Sequence, residues 1–495
     1  MTQPHAPMDG AAARSMLIRG SVWAMAMRWS IRGMGLISTV ILARILHPED
    51  YGVIAMAFLV VGLLDAFMNV GAPQALVRLG ATTTNDYINS AWTLRGIQGV
   101  IMGASLALAA PWAAVFFEEP RLKEVLWVLA IAQVPMGFTN IGMTLAYRDL
   151  QFSTEFKWML SNKAVSVCVT LLTAMFVPDY RALLTGLVAG YVVELALSYK
   201  LHHYRPRWDT SRVKELWAVS KWLLLSGLGG YVLGRFDQLV AGKIGNTQQF
   251  GLYTVGADIG QLPTGELGGT LARPLYPTLS NLKHNWHEAE QTALHMLNTI
   301  NTLTIPIGIG LAVVSQDATA VILGPKWAEA APFMAGFALI GTIQSFHNPL
   351  TTLLNVAGYV KIHTFAVWLE FALFALLSYL LIPQYNLMGL VYARIISGLI
   401  KCQLVIMATN WRSDLKMRAI YAVVWPPLLS SGIMAAVLMY LPITLQNDLA
   451  RLLLKVFVGA GVYIACILIL WLVTGKPNGP IRYILNRIHV RVKLT

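Results

Sequence analysis

The segment ARILHPEDYGV, residues 43–53, has a counterpart far along the chain in GKIGNTQQFGL, residues 242–252. At an offset of 199 Arg44 falls on Lys243, Tyr51 on Phe250 and Gly52 on Gly251. Two further matches follow in the same order. VFFEEPR (115–121) echoes VILGPK (321–326), and FTNIGMTL (138–145) echoes FHNPLTTL (346–353) at an offset of 208. So small a drift over so long a stretch marks an internal repeat.

What lies between these landmarks is apolar. Of the 495 residues 56% are hydrophobic and only 12% charged, and the mean hydropathy is +0.59. A soluble domain needs more polar surface than that, so a polytopic helical membrane protein is expected. About fourteen spans of roughly 20 residues are expected. Six belong to each copy of the repeat. Because six is even, both copies enter the membrane in the same direction, which predicts parallel repeats with the working site between them near the midplane.

The expected fold is therefore all-α: a cytoplasmic lead (1–20), an N-lobe of six helices (21–204), a basic connection (205–217) and a C-lobe of six helices (218–410). Two extra spans (411–474) and a basic tail (475–495) complete it. The lead lacks a signal with a cleavage site. Lys and Arg outside the spans crowd into the lead, the even-numbered loops and the tail, which predicts that both termini are cytoplasmic. The same distribution accounts for the net charge of +13 without a nucleic-acid partner. Cys168, Cys402 and Cys466 fall inside spans and read as packing residues; neither a disulfide framework nor a metal site is expected. In the tail Ile481, Leu485, Ile488 and Val492 share one helical face, which suits a helix lying in an anionic interface.

Charges inside the spans are the candidate site residues, because each is costly in hydrocarbon and needs a cavity or a partner. In SVWAMAMRWSIRGMGLISTV (21–40), Arg28 and Arg32 stack one turn apart on one helical face. Arg235 lies in the first span of the second copy, about one turn beyond the counterpart of Arg32. Paired guanidinium groups suit phosphate, to which each donates two parallel hydrogen bonds. The plainer reading is that Arg28 and Arg32 snorkel to headgroups. Arg95, Lys163, Arg273, Arg394 and Lys401 are secondary cavity charges. Asp65 and Glu266 occupy matching places in the second span of each copy. With Asp258, Glu194 and Glu370 they read either as ion-coupling carboxylates or as structural counter-ions.

WAMAMRWSIRGMGLISTVILARILHPEDYGVIAMAFLVVGLLDAFMNVGAPQALVR (23–78) resembles the opening of Wzx-type polysaccharide flippases of the colanic-acid exporter branch. The features are an LARIL-x-x-x-x-YG junction, Asp65 late in the second span, and a G-x-x-x-x-LV-R tail. YRDLQFSTEFK (147–157), FDQLVAGKIGNTQQFGLYTVGADIGQLP (236–263), ARPLYPTLSNL (272–282) and GPKWAEAAPFM (324–334) resemble later landmarks of that branch. The resemblance covers most of residues 15–415. It implies the multidrug/oligosaccharidyl-lipid/polysaccharide exporter superfamily. It also implies a two-lobed bundle in the bacterial inner membrane that flips undecaprenyl-diphosphate-linked oligosaccharide by alternating access for exopolysaccharide, capsule or O-antigen synthesis. Implied partners are that lipid, membrane lipids, and a polysaccharide polymerase with its chain-length and export machinery; no cofactor is implied.

Two rival functions stand beside this one. A polytopic polysaccharide polymerase would be an enzyme, but D-x-D, G-x-S-x-G and P-loop signatures are missing from the sequence and the outside loops are short. A drug antiporter of the same superfamily takes lipophilic cations, whereas the arginines of the first span favour an anion.

Overall fold

The computed structural model describes residues 10–68, 84–149, 151–441 and 445–474; among helical residues, the side chains of 10–26, 152 and 216–227 are left undescribed. The expected tail helix and the G-x-x-x-x-LV-R stretch lie outside the described residues. The described residues form helices joined by loops, with no strand: α1 (Gly10–Ile45), α2 (Pro48–Met68), α3 (Asn85–Phe116), α4 (Arg121–Gly137), α5 (Gly142–Arg148), α6 (Phe152–Phe176), α7 (Tyr180–Leu201) and α8 (Val213–Ile244). Then follow α9 (Thr247–Ala272), α10 (Leu275–Asn281), α11 (Trp286–Val313), α12 (Ser315–Ile322), α13 (Ala331–Val356), α14 (Val360–Tyr385), α15 (Leu387–Arg412), α16 (Met417–Tyr440) and α17 (Asp448–Val473). Each of the fourteen expected spans falls on one of these helices, the fourth on α4 and α5 together. Among the described residues nine helices are long and apolar enough to cross a membrane, or ten if α4 and α5 form one span. The chain is a multi-pass membrane protein.

Packing divides the chain into two compact units between Gly251 and Leu252. In the first unit α1 lies on α6, α3 on α4, α6 on α7, and α8 on α2 and α3. In the second, α11 packs on α13 and α16, α13 and α14 each pack on α15, and α17 packs on α16 and α12.

Helix starts follow the polar residues that precede them. Asp179 accepts from the Arg181 N–H at 2.8 Å to cap α7, and Asn447 accepts from Leu449 and Ala450 to cap α17. Asp50 is buried among apolar residues because two backbone donors satisfy it, the N–H groups of His47 (2.8 Å) and Tyr180 (2.9 Å). It thereby ties the start of α2 to the start of α7. At the turn between α13 and α14 the chain reverses through Gly358 at φ +85°, where a side chain would be strained.

The repeat appears as a reciprocal contact within the first unit. A Cβ on Gly52 would lie 2.0 Å from the Thr247 carbonyl oxygen, and one on Gly251 would lie 1.9 Å from that of Pro48. Pro48 and Thr247 stand at the same offset of 199 as the two glycines. The first turns of α2 and α9 therefore cross backbone to backbone, each glycine meeting the counterpart of its own helix start.

The fourth span is bent by 66° between α4 and α5. The break frees backbone groups, which in lipid must be satisfied by protein. The Phe138 carbonyl accepts from the Tyr199 hydroxyl (2.7 Å) and the Trp92 indole (3.3 Å). The Asn140 N–H donates to Ser198 Oγ at 3.0 Å, while Asn140 Nδ2 donates to the Tyr204 carbonyl at 2.8 Å. In the second copy the matching stretch runs unbroken through α13, with Pro349 inside the helix.

Candidate functional site

Two groups of intramembrane charges stand out, one in each unit. The first is built on the α6–α7 seam. Gly186, Gly190 and Glu194 stand four residues apart on α7, which places them on one face. Opposite them on α6 are Thr170, Ser166 and Asn162; a Cβ on Gly186 would strike Thr170 Oγ1 at 1.7 Å, and one on Gly190 would strike Asn162 Oδ1 at 2.7 Å. The glycines let the helices touch, and that contact carries Glu194 to Asn162, whose Nδ2 donates to Glu194 Oε2 at 2.6 Å. The Trp158 indole donates to the Glu194 carbonyl one turn away, at 2.9 Å. Half-buried Arg95 on α3 lies in the electrostatic field of Glu194 and of exposed Asp65 on α2. Two carboxylates from two other helices, Glu194 of α7 and Asp65 of α2, thus act on one guanidinium through the field.

Beside this group stand further cations. On α1, Arg28 is half-buried and Arg32 exposed. One turn further Gly35 faces α6, with the Lys163 Cε 3.9 Å from where its Cβ would be. By helical spacing Arg28 and Arg32 share the face of α1 that carries Gly35, the glycine that Lys163 of α6 approaches. Arg235 is exposed on α8, nine residues before the helix ends, and donates to Gln238 Oε1 at 2.7 Å. α8 packs on α2 and α3, whereas α1 packs on α6.

The second group joins α13, α14 and α15. Lys401 Nζ stands 2.9 Å from Glu370 Oε2, with side chains 13% and 23% exposed. Buried His347 on α13, whose Nδ1 meets the Ile343 carbonyl at 2.9 Å, lies in the field of both. Two turns along α15, the Arg394 guanidinium sits 5.2 Å from the Phe374 ring centre. Lys163 and Glu194 precede Glu370 and Lys401 by the same 207 residues. The two helix hairpins thus carry opposite charges at matching positions in exchanged order. Elsewhere in this unit Asp258 and Arg273 are exposed and Glu266 is half-buried, on or just after α9.

Two polar clusters were not anticipated from the sequence. Buried Asp317 on α12 pairs with Arg451 Nε (2.5 Å) and Lys455 Nζ (2.6 Å) of α17. Its burial works to raise the carboxyl, but the two cations outweigh that and hold it below the ordinary aspartate range. Glu119, before α4, accepts from Arg121 Nη2 at 2.7 Å and from Thr247 Oγ1 at 2.6 Å. Burial opposes its ionisation too, and these hydrogen bonds again win, holding its carboxyl low. Both clusters hold helix ends.

Residues 41–332 match the model of the polysaccharide biosynthesis protein family. The chain belongs to that family. It is 21% identical over 357 residues to the lipopolysaccharide biosynthesis protein WzxC of Escherichia coli K12, covering 70% of this chain and 72% of WzxC. Among solved structures it is similar to the lipid II flippase MurJ in an inward closed conformation. That match has a TM-score of 0.72 at 13% identity and covers 91% of this chain and 98% of MurJ. An inward-facing multidrug resistance MATE family transporter of the MOP superfamily matches with a TM-score of 0.61, also at 13% identity, over 77% of this chain and 94% of the transporter. The family member therefore has a MurJ- and MATE-like transporter fold, as the two-copy helical reading of its sequence anticipated.

Proposed function

We propose that this chain is a flippase that moves undecaprenyl-diphosphate-linked oligosaccharide from the cytoplasmic to the periplasmic leaflet of the bacterial inner membrane. The observation that carries the reading is the grouping of Arg28 and Arg32, on the face of α1 that carries Gly35, with Lys163, which approaches that glycine from α6. Three cations within the span region suit a diphosphate headgroup, and the planar fork of each arginine fits phosphate oxygens in pairs. A lipophilic cation, the substrate of a drug antiporter, would be repelled there. The names of the relatives support transport rather than enzymatic chemistry. Arg95, in the electrostatic field of Glu194 and Asp65, is the ion-coupling element of this proposal. In this reading both termini are cytoplasmic, so a cysteine at position 210 should be labelled only from that side and one at 446 only from the periplasm.

The test is flipping of isolated lipid-linked oligosaccharide by the full chain in liposomes, with and without an ion gradient. Losing one charge-assisted contact costs about 1.5–3 kcal/mol, roughly ten- to a hundredfold in affinity. Arg32→Ala should abolish flipping and Arg32→Lys should impair it, because charge without the fork is not enough. Wild-type flipping by an Arg28→Ala/Arg32→Ala double variant would refute the clamp and leave the pair as interface anchors.

A further inference from the structure

The second unit contains a cavity of about 490 Å³ between α13, α14 and α15. Its size is that of a small-ligand site. The walls are mostly apolar, with Leu354 from α13, Ile362 and Ala366 from α14, and Leu404 and Val405 from α15, and the half-buried His363 of α14 is the polar exception. The Thr351 hydroxyl, which also lines it, is already bonded to the His347 carbonyl at 3.1 Å, so that part of the wall offers no spare donor. Phe365 and Trp411 stand at its edge, 65% and 72% exposed, large rings turned outward from a protein that lies in lipid. The rim is cationic. Lys361, in the first turn of α14, lines the cavity. Arg412, in the last turn of α15, stacks 3.9 Å from the centre of the Trp411 ring. One turn further along the three helices lie His347, Glu370 and Lys401, the last two already paired with each other.

We propose that this cavity binds one acyl chain of an anionic phospholipid, with the lipid phosphate held by Lys361 and Arg412. The walls disfavour a polar ligand, because beyond the Thr351 hydroxyl and the His363 imidazole they offer nothing to replace its water. The rim selects by charge, since basic residues at the ends of membrane helices attract anionic headgroups. The volume suits a single acyl chain and falls far short of a long polyprenyl chain. Lipid bound here would fill the space between three helices that converge on the Glu370–Lys401 pair.

The test is native mass spectrometry of the purified full chain equilibrated with phosphatidylglycerol, phosphatidylethanolamine or a polyprenyl phosphate. One phosphatidylglycerol should be retained in preference to phosphatidylethanolamine. Lys361→Gln and Arg412→Gln should each weaken retention about fivefold, the effect of one surface cation on an anionic lipid. Ala408→Phe, at a half-buried wall position, should exclude the chain while leaving the rim intact. Lys361→Gln, at an exposed site, keeps the question open to decision should the phenylalanine variant fail to fold. Equal retention of the two phospholipids, or unchanged retention in Lys361→Gln and Arg412→Gln, would overturn the proposal. So would preferential binding of the polyprenyl phosphate, which would reassign the cavity to a different lipid.

Discussion

Neutralising one member of the Glu370–Lys401 pair leaves the other charge within the membrane with no ion partner. Removing one partner of a buried ion pair typically costs 3–5 kcal/mol. Here both side chains keep a small exposed fraction, 23% and 13%, so some relief through snorkelling is available and about 2–3 kcal/mol is the better figure. For a unit of this size each kcal/mol moves the midpoint by about 2–4 °C. Glu370→Gln and Lys401→Met should therefore each lower it by roughly 5–10 °C. The informative variant exchanges the two, Glu370→Lys with Lys401→Glu. The hairpin of α6 and α7 already carries its charges in that order, with Lys163 and Glu194 at the matching places. The exchanged pair should recover at least half of the loss seen in the single variants. The assay is thermal unfolding of the purified protein in detergent, read by intrinsic fluorescence as a double-mutant cycle. Single variants as stable as the parent, or an exchanged pair no better than the worse single, would refute the reasoning that this contact carries stability through charge pairing.

Gly251→Ala should be destabilising by about 1–3 kcal/mol, because its Cβ at 1.9 Å from the Pro48 oxygen forces two backbones apart; Gly52→Ala should cost the same, and the double variant less than the sum, since either methyl opens the same crossing. Unfolding midpoints of the three variants check this. Asp317, held below its ordinary value by Lys455 and Arg451, contributes stability that is fully present above the unfolded aspartate range and is lost only as pH falls through the lower folded value. Asp317→Asn should lose about 1–2 kcal/mol at pH 7 and flatten the acid limb of the stability curve, measured by unfolding midpoints from pH 7 down to pH 3.

The spans were legible because hydrocarbon imposes one requirement on every one of them, about twenty apolar residues in a row. The repeat was legible for a related reason: the residues that match are helix junctions, where few residue types fit. Pairings were not legible. Nothing near Glu370 in the sequence points to Lys401, and Asp317 finds Arg451 only because α17 folds back on α12. Such contacts depend on which faces meet, and these apolar helices show little one-sided pattern to reveal it. One pairing did leave a trace, since the four-residue spacing of Gly186, Gly190 and Glu194 fixes a close seam and the acid at its end. The expected kinship of Arg235 with Arg28 and Arg32 rested on repeat position. In the structure α8 packs on α2 and α3, and Arg235 donates to Gln238.

The bent fourth span has a mechanical consequence. A break in a helix is usually regarded as a soft joint, but this one is fastened. Tyr199 and Ser198 of α7 hold its Phe138 carbonyl and Asn140 N–H, and Asn140 in turn reaches the Tyr204 carbonyl beyond the end of α7. Torque applied at the end of α7 is therefore delivered to α4 and α5 with little slack. If residues 202–212 are pulled during a transport cycle, the lower part of the fourth span must travel with them as a single lever, and bending has to occur elsewhere.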